Sequence, residues 1–275
     1  MSQSRLGYTE CDGTEAPWAK YFNPEMAPMA DHVAEALLVG GVASELLYPI
    51  EQAGSMLEAD YWPVETGYAR TPDLGYHMAC LTDMPGVTPA MWDWWFGWHG
   101  DDASKYKLWH PNAHVNAEWA DGRVGEQAYV GRVSHIIEYL GSELKSGAIG
   151  FVSPAILGID ETRMQAQGEI FVCARVGVPE TPLKAGWLLH QVRPTASGSE
   201  MRSRMWMGGR YAALGDHPGI LPQTLMYLMR PVVARMLPKV HELLVHNAQE
   251  MQHLAAFLPA LYSEFGHQQW DSECP

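Results

Sequence analysis

Apolar residues recur at helical spacing across residues 29–57. Val33, Leu37, Leu38, Val42, Leu46 and Leu47 mark the stripe, and Gly40-Gly41 and Pro49 interrupt it. Residues 1–24 read as an extended arm and residues 58–84 as loop-rich. Thr88-Pro89 has the form of a helix start, a threonine cap followed by proline at the first helical position, and this helix carries Met91, Trp92 and Trp95 on one face. Over residues 127–211 the pattern changes to strand-like runs at 128–133, 147–152, 169–176 and 186–192. The turn Thr195-Ala-Ser-Gly-Ser then leads into a return strand at 201–206. Short turns between sequential strands predict a largely antiparallel sheet. Helical spacing returns over residues 222–262 through Leu225, Leu228, Val233, Met236, Val240, Leu244, Met251 and Leu254, with Pro231 and Pro238 expected to kink or break it. The order predicts an α+β fold in which an antiparallel sheet wraps a long C-terminal helix and leaves a cavity between them.

Composition narrows the classes. With 275 residues, 47% of them hydrophobic and 18% charged, the chain is long enough for a substantial core and is not of disordered type. A net charge of −14 argues against nucleic acid and anionic membrane surfaces as partners. The four cysteines, Cys11, Cys80, Cys173 and Cys274, are far apart and form no CxxC pair, a usage that suits a reducing compartment. The N-terminal residues carry no apolar signal core and no run of 18 apolar residues occurs, so a cytoplasmic protein without a membrane span is expected.

Candidate chemistry concentrates in two places. Trp92, Trp94, Trp95, Trp98, Trp109 and Trp119 place six of the eleven tryptophans within 28 residues, with His99, His110 and His114 among them. Such a cluster walls either a core or a pocket for a flat ligand. Near the C-terminus, His241-Glu242 with His246 misses the protease signature HExxH, because positions five apart on a helix diverge by roughly 140°. His246 and Glu250, four apart, share a face and can converge on one ion, and Glu242 and His253 extend that stripe. A solvated polar face is the plain alternative. His110-Pro-Asn-Ala-His114 offers two further histidines, with the choice between them open. Glu138, set among Ile136, Ile137, Tyr139 and Leu140, is costly to bury unless paired or metal-bound. His190, flanked by Leu188 and Val192, reads more readily as a satisfied core histidine than as a catalyst. The chain has no GxSxG, no P-loop and no GxGxxG after a strand, which leaves nucleophile-elbow hydrolases, NTPases and dinucleotide enzymes without support.

Taken together, Met84-Pro-Gly-Val-Thr-Pro-Ala-Met-Trp-Asp-Trp-Trp-Phe-Gly-Trp-His99, Tyr106-Lys-Leu-Trp-His-Pro-Asn-Ala-His114-Val and His246-x-x-x-Glu250 resemble the diacetylphloroglucinol hydrolase family, which includes phloretin hydrolase, over about residues 25–260. The resemblance implies a START-like helix-grip domain at residues 85–275, preceded by an N-terminal arm and smaller helical region at residues 1–84. It also implies zinc-dependent cleavage of the carbon–carbon bond between an acyl group and a phenolic ring. Carried over residue by residue, it gives His114, Glu138, His246 and Glu250 as zinc ligands, His190 as the catalytic histidine outside the zinc shell, and Tyr106 as a substrate-binding tyrosine. The family's second substrate-binding tyrosine has no counterpart around residues 202–207. Two rival readings stand beside this one: a non-enzymatic helix-grip carrier of hydrophobic aromatic molecules, and an iron-dependent oxygenase, since two histidines and a carboxylate also suit iron(II). The apolar stripe between Val33 and Leu47 is rich for a small appendage and leads to the expectation of a homodimer.

Overall fold

The computed structural model of the chain describes residues 7–9, 12, 15–215 and 220–267, so Cys11 and Cys274 lie outside the described residues. In chain order the elements are α1 (Asp31–Val39), β1 (Gly67–Arg70), β2 (Gly75–Pro85), α2 (Pro89–Trp98), α3 (Ala103–Trp109), β3 (His114–Trp119), β4 (Val133–Leu140), β5 (Glu143–Val152), α4 (Glu161–Ala166), β6 (Ile170–Gly177), β7 (Leu183–Pro194), β8 (Gly198–Gly208), β9 (Ala213–Leu214), α5 (Ile220–Met236), α6 (Val240–Ala255) and α7 (Leu258–Phe265). The strands form one open antiparallel sheet in the order β1-β2-β8-β7-β6-β5-β4-β3, with β9 on β7. Helix α6 lies in its grip against β1, β2, β4 and α3. This is the expected helix-grip architecture.

Several local expectations change. The stretch 58–84 is not loop-rich: it holds β1 and most of β2, and β2 pairs with β8 from Gly75–Gly208 to Pro85–Gly198. The division expected at 84/85 therefore falls inside a strand. The first six residues of β2, Gly75 to Cys80, are buried on both faces, which erases the period-two signal there, whereas its last residues alternate between buried and exposed. The fourth strand is 133–140 rather than 128–133, and β3 was missed because His-Val-Asn-Ala-Glu-Trp has little strand character. The C-terminal helical stretch is three helices. Pro238 lies in the break between α5 and α6, whereas Pro231 is accommodated inside α5. Helix α2 begins as its sequence dictates, with Thr88 as cap and Pro89 first.

At the tip of the β7–β8 hairpin, Gly198 has φ +156°, and a Cβ there would lie 2.4 Å from the Gly86 amide nitrogen and 2.6 Å from the Met84 carbonyl. Only glycine lets the hairpin close against the end of β2. From that turn β8 alternates: Met201, Met205 and Met207 join the core under α6, while Trp206 joins a second cluster with Met56, Leu57 and Trp62 on the outer face. Arg202 and Arg204 also point outward. Glu65 receives Arg202 Nε at 3.0 Å, Arg202 Nη2 at 2.6 Å and Arg204 Nη2. Arg202 Nη1 continues to Gln191 Oε1 at 2.9 Å.

The tryptophan cluster belongs to the inner core. Trp92 and Trp95 are fully buried at 0% exposure and pack edge-on against Trp109, so they build structure rather than a ligand wall. Truncating either to alanine would cost about 3–5 kcal/mol.

Candidate metal centre and substrate chamber

Helix α3 is capped by Asp102, whose side chain accepts from the Ser104 amide, and ends at Trp109. A turn closed by the His114 amide on the His110 carbonyl at 2.9 Å delivers His114 as the first residue of β3, opposite Glu138 on β4. His114 Nδ1 donates to the Tyr106 carbonyl at 2.9 Å. Because a carbonyl only accepts, this bond fixes the tautomer and turns a Nε2 lone pair toward Glu138. Tyr106 supports the same pair twice more: its ring stacks on His114 at 3.7 Å and 2°, and its hydroxyl donates to Glu138 Oε2 at 2.6 Å. The hydroxyl expected to bind substrate thus orients a carboxylate.

Helix α6 supplies the other half, with His246 and Glu250 one turn apart on its buried face. His114 Nε2 lies 3.6 Å from Glu138 Oε2 and 3.4 Å from Glu250 Oε2, and His246 Nε2 lies 3.4 Å and 3.7 Å from the same two oxygens. The donor atoms of His114, Glu138 and His246 all lie within 4.8 Å of one another. A tetrahedral ion bound at about 2.0–2.2 Å holds its ligand atoms about 3.3–3.6 Å apart. The spacing therefore fits a zinc-sized ion. So does the buried His114 Nε2, which has no hydrogen-bond partner among the described residues.

The electrostatics point the same way. Burial, followed by the neighbouring His246 and His110 rings, pushes His114 well below its ordinary value and leaves it in the neutral, ligating form. Burial also acts to lower His246, but the Glu138 and Glu250 carboxylates outweigh it and raise its pKa to about 9. Glu250 is raised to about 8 by burial, with His246 opposing and Glu138 adding to the rise. Glu138 is lowered overall: burial raises it, and His246 together with the Tyr106 hydroxyl overcomes that. Without a metal, protons held on His246 and on Glu250 offset the charge of Glu138 and of the second carboxyl near pH 7. A divalent cation would replace those protons with stronger compensation.

His110 stacks on His246 at 4.8 Å and 19° and lines a separate polar cavity of about 220 Å³ with Asn112, His241 and Gln249. Of the two candidates on that turn, His114 reaches the cluster. Glu242 is held by Lys239 at 2.9 Å, and His253 Nδ1 accepts from the Ala27 amide at 3.2 Å, so neither extends the site.

His190 shares a chamber of about 90 Å³ with Tyr106, Glu138, His246 and Glu250, walled by Phe96, Trp109 and Phe151. Burial lowers its pKa to about 3, so the ring is neutral near pH 7. Its Nδ1 meets Ser203 Oγ at 2.8 Å across the β7–β8 pair. The chamber opens into an apolar cavity of about 390 Å³, the two sharing Ile136, Glu138, Ile149, Leu188, Met205 and Leu243. Met205 lines this junction, while Trp92 and Trp95 do not.

Sequence reasoning missed Ser203, Ser134 and Asn247. Asn247 Nδ2 lies 3.4 Å from Glu250 Oε1, and its three-residue spacing on the helix was a usable signal. Ser203 had none, since only the strand register pairs it with His190.

The sequence model of one family, described as the DAPG hydrolase PhiG domain, matches residues 47–263. The chain belongs to this family. It is 30% identical to a 2,4-diacetylphloroglucinol hydrolase from Pseudomonas sp, over 91% of this chain and 88% of that protein. It is likewise 30% identical to the enzyme of the same description from Pseudomonas protegens, over 91% and 85%. It is 31% identical to phloretin hydrolase from Eubacterium ramulus, over 89% of each. The chain is accordingly an enzyme, a hydrolase of carbon–carbon bonds, which ends the reading as a non-catalytic carrier. The solved structure of Ara h 8.0201 covers 62% of this chain and 98% of its own at 13% identity and TM-score 0.32, a likeness that carries no argument.

Proposed function

We propose that the protein is a zinc-dependent hydrolase that cleaves the bond between an acyl group and a phloroglucinol-type ring, releasing a carboxylic acid and the phenol lacking that acyl group. The observation that carries this reading is the convergence of His114, Glu138, His246 and Glu250 beside a neutral His190 at the inner end of an apolar cavity. The relatives named for 2,4-diacetylphloroglucinol and phloretin support the substrate class. Two histidines and two carboxylates would hold the ion. When bound, zinc supplies Lewis acidity that polarises a ketone oxygen and acidifies water.

An acyl phenol with an ortho hydroxyl becomes a β-diketone when the ring takes its keto tautomer, so its carbon–carbon bond breaks like an acyl bond once the ring carbon is protonated. His190, held neutral by burial, accepts the proton that a water gives up on attacking the acyl carbon and delivers it to the departing ring carbon. Ser203 holds the imidazole, Tyr106 holds Glu138 and stacks on His114, and Phe96 and Trp109 exclude bulk water.

Elemental analysis of the purified protein followed by a product assay with acylphloroglucinols tests this reading. One zinc per chain and release of carboxylic acid are expected. Oxygen consumption during turnover would point instead to the iron-dependent oxygenase. A homodimer is part of the same reading, supported by the exposed Leu38, Val39 and Leu46 at the end of and just beyond α1. A monomeric mass by light scattering at micromolar concentration would remove it. A cytoplasmic location is supported by the free thiols Cys80 and Cys173 and by the absence, among the described residues, of any helix long and apolar enough to cross a membrane.

A further inference from the structure

The two imidazoles of the metal centre have a third beside them. The ring centroids of His110, His114 and His246 form a triangle, 5.5 Å from His110 to His114, 4.8 Å from His110 to His246 and 5.3 Å from His114 to His246. His110 is buried at 4% exposure, and its Nδ1 has no hydrogen-bond partner among the described residues. A buried ring nitrogen left unmatched is costly, so it marks a place where an ion or ligand can be met. From His110 the polar cavity of about 220 Å³ extends past Gln249 and Glu242, both half-buried, to Asn112 and His241, which are exposed. His246 lines this cavity and the inner chamber alike. Donors of the kind that bind zinc thus run from solvent to the back of the metal centre.

We propose that this cavity is the entry port of the metal centre. A divalent cation is taken up at His241 and Glu242, passes to His110 and is handed to His246 and His114. The inference rests on the metal site proposed above and adds the route by which it fills. His114, His246 and Glu250 are all buried, so a hydrated dication must shed water on the way in. That is costly wherever no protein donor takes the place of water. The larger cavity on the other side is the poorer route. Among the described residues its lining holds no imidazole, one carboxylate, Glu138, and one cation, Lys145, which is paired with Glu143. In the polar cavity each transfer exchanges one nitrogen or carboxylate donor for the next. Lys239, which holds Glu242 at 2.9 Å, is the cation that an arriving ion displaces.

The test is the rate of zinc uptake by the chelated full-length protein, followed with a chromophoric competitor, together with the rate of extraction by excess chelator and the equilibrium Kd. A port sets the barrier between solvent and site, not the depth of the site, so a change in it slows uptake and extraction by the same factor. His110→Phe keeps a stacking ring and removes both nitrogens, and the double variant His241→Ala with Glu242→Gln strips the outer end. Each should slow both rates about ten-fold or more while Kd stays within about two-fold. The double variant lies at the mouth of the cavity and carries the test alone if His110→Phe does not fold. Val233→Trp, which fills the larger cavity from α5, should leave both rates unchanged. Unchanged rates in the double variant, or uptake slowed by Val233→Trp instead, overturn the port. A Kd weakened in His110→Phe at an unaltered uptake rate also overturns it, and makes His110 a support for His246. The same rates are measured with cobalt(II) and iron(II). If one of these binds and zinc does not, the zinc reading fails by itself, and the variants' rates with that ion decide the port. If none binds, both fall.

Discussion

The two faces of the sheet bury charged groups in opposite ways. On the outer face Glu65 lies between Arg202 and Arg204, two cations against one carboxylate, with Gln191 and the Met56 carbonyl taking remaining guanidinium hydrogens. On the inner face Glu138 and Glu250 crowd around two histidines, only one of which is driven toward its charged form. The outer set is matched within the protein and anchors the segment before β1 to the sheet. The inner set is matched by protons held on His246 and Glu250 above their ordinary values, an arrangement that a cation can displace and that marks a binding site more than a support.

The strongest break of this contrast is Glu250→Gln. It should abolish stoichiometric zinc and lower turnover by more than about 10³-fold, because a ligand and its charge are both lost. The metal-free fold should melt no lower than the wild type, since a carboxylate forced up by burial is removed. Zinc retained at one per chain would dissolve the assignment. His190→Ala should keep metal and fold while losing about 10²–10⁴-fold in kcat. Full activity in that variant would move the proton transfer to another group. Glu65→Gln is the mirror experiment on the outer face. Leaving Arg202 and Arg204 buried without their partner should cost about 3–5 kcal/mol of stability with zinc content unchanged, read by denaturant titration and metal analysis. Tyr106→Phe should weaken zinc affinity or activity by about 10–100-fold through the loosened Glu138 and His114. An unaltered zinc affinity together with a raised KM would return Tyr106 to the substrate.

The smallest effect is a pH dependence confined to the metal-free protein. His246 rises in the fold to about 9 from an ordinary 6.5, and Glu250 to about 8 from an ordinary 4.5. For both, the folded state binds protons more tightly than the unfolded chain. The associated stability is complete below the unfolded values and is lost as pH climbs through the folded ones. The buried histidines with lowered values, His77, His99, His110, His114, His190 and His253, act only below about 6.5. The melting temperature of the chelated protein should therefore fall between pH 6.5 and 9, while that of the zinc-loaded protein stays nearly level. Parallel curves would mean that the cluster does not titrate as a unit.

The sequence by itself determined the large pattern: strands in the middle, helices toward the C-terminus, the Thr88-Pro89 helix start, and the His246–Glu250 face, all of which depend on neighbours within one or two turns of chain. With the family resemblance it also named His114, Glu138, His190 and Tyr106; the fold places Glu138, His190 and Tyr106 on one chamber and sets His114 beside Glu138 and His246. Other features were decided only by tertiary structure. The first half of strand β2 shows no alternation because both its faces are covered, one by the core under α6 and the other by the segment before β1. The tryptophans could not be divided into wall and core until α2 was packed, when Trp92 and Trp95 went inward and Trp109 reached the chamber. The choice of His114 over His110 depended on a single carbonyl, that of Tyr106, turning one ring toward Glu138. Ser203 acquired its place beside His190 from strand register alone. Local periodicity records which side of an element faces inward, but the identity of what it meets there is set by contacts between residues far apart in the chain, and these leave no periodic trace in the sequence.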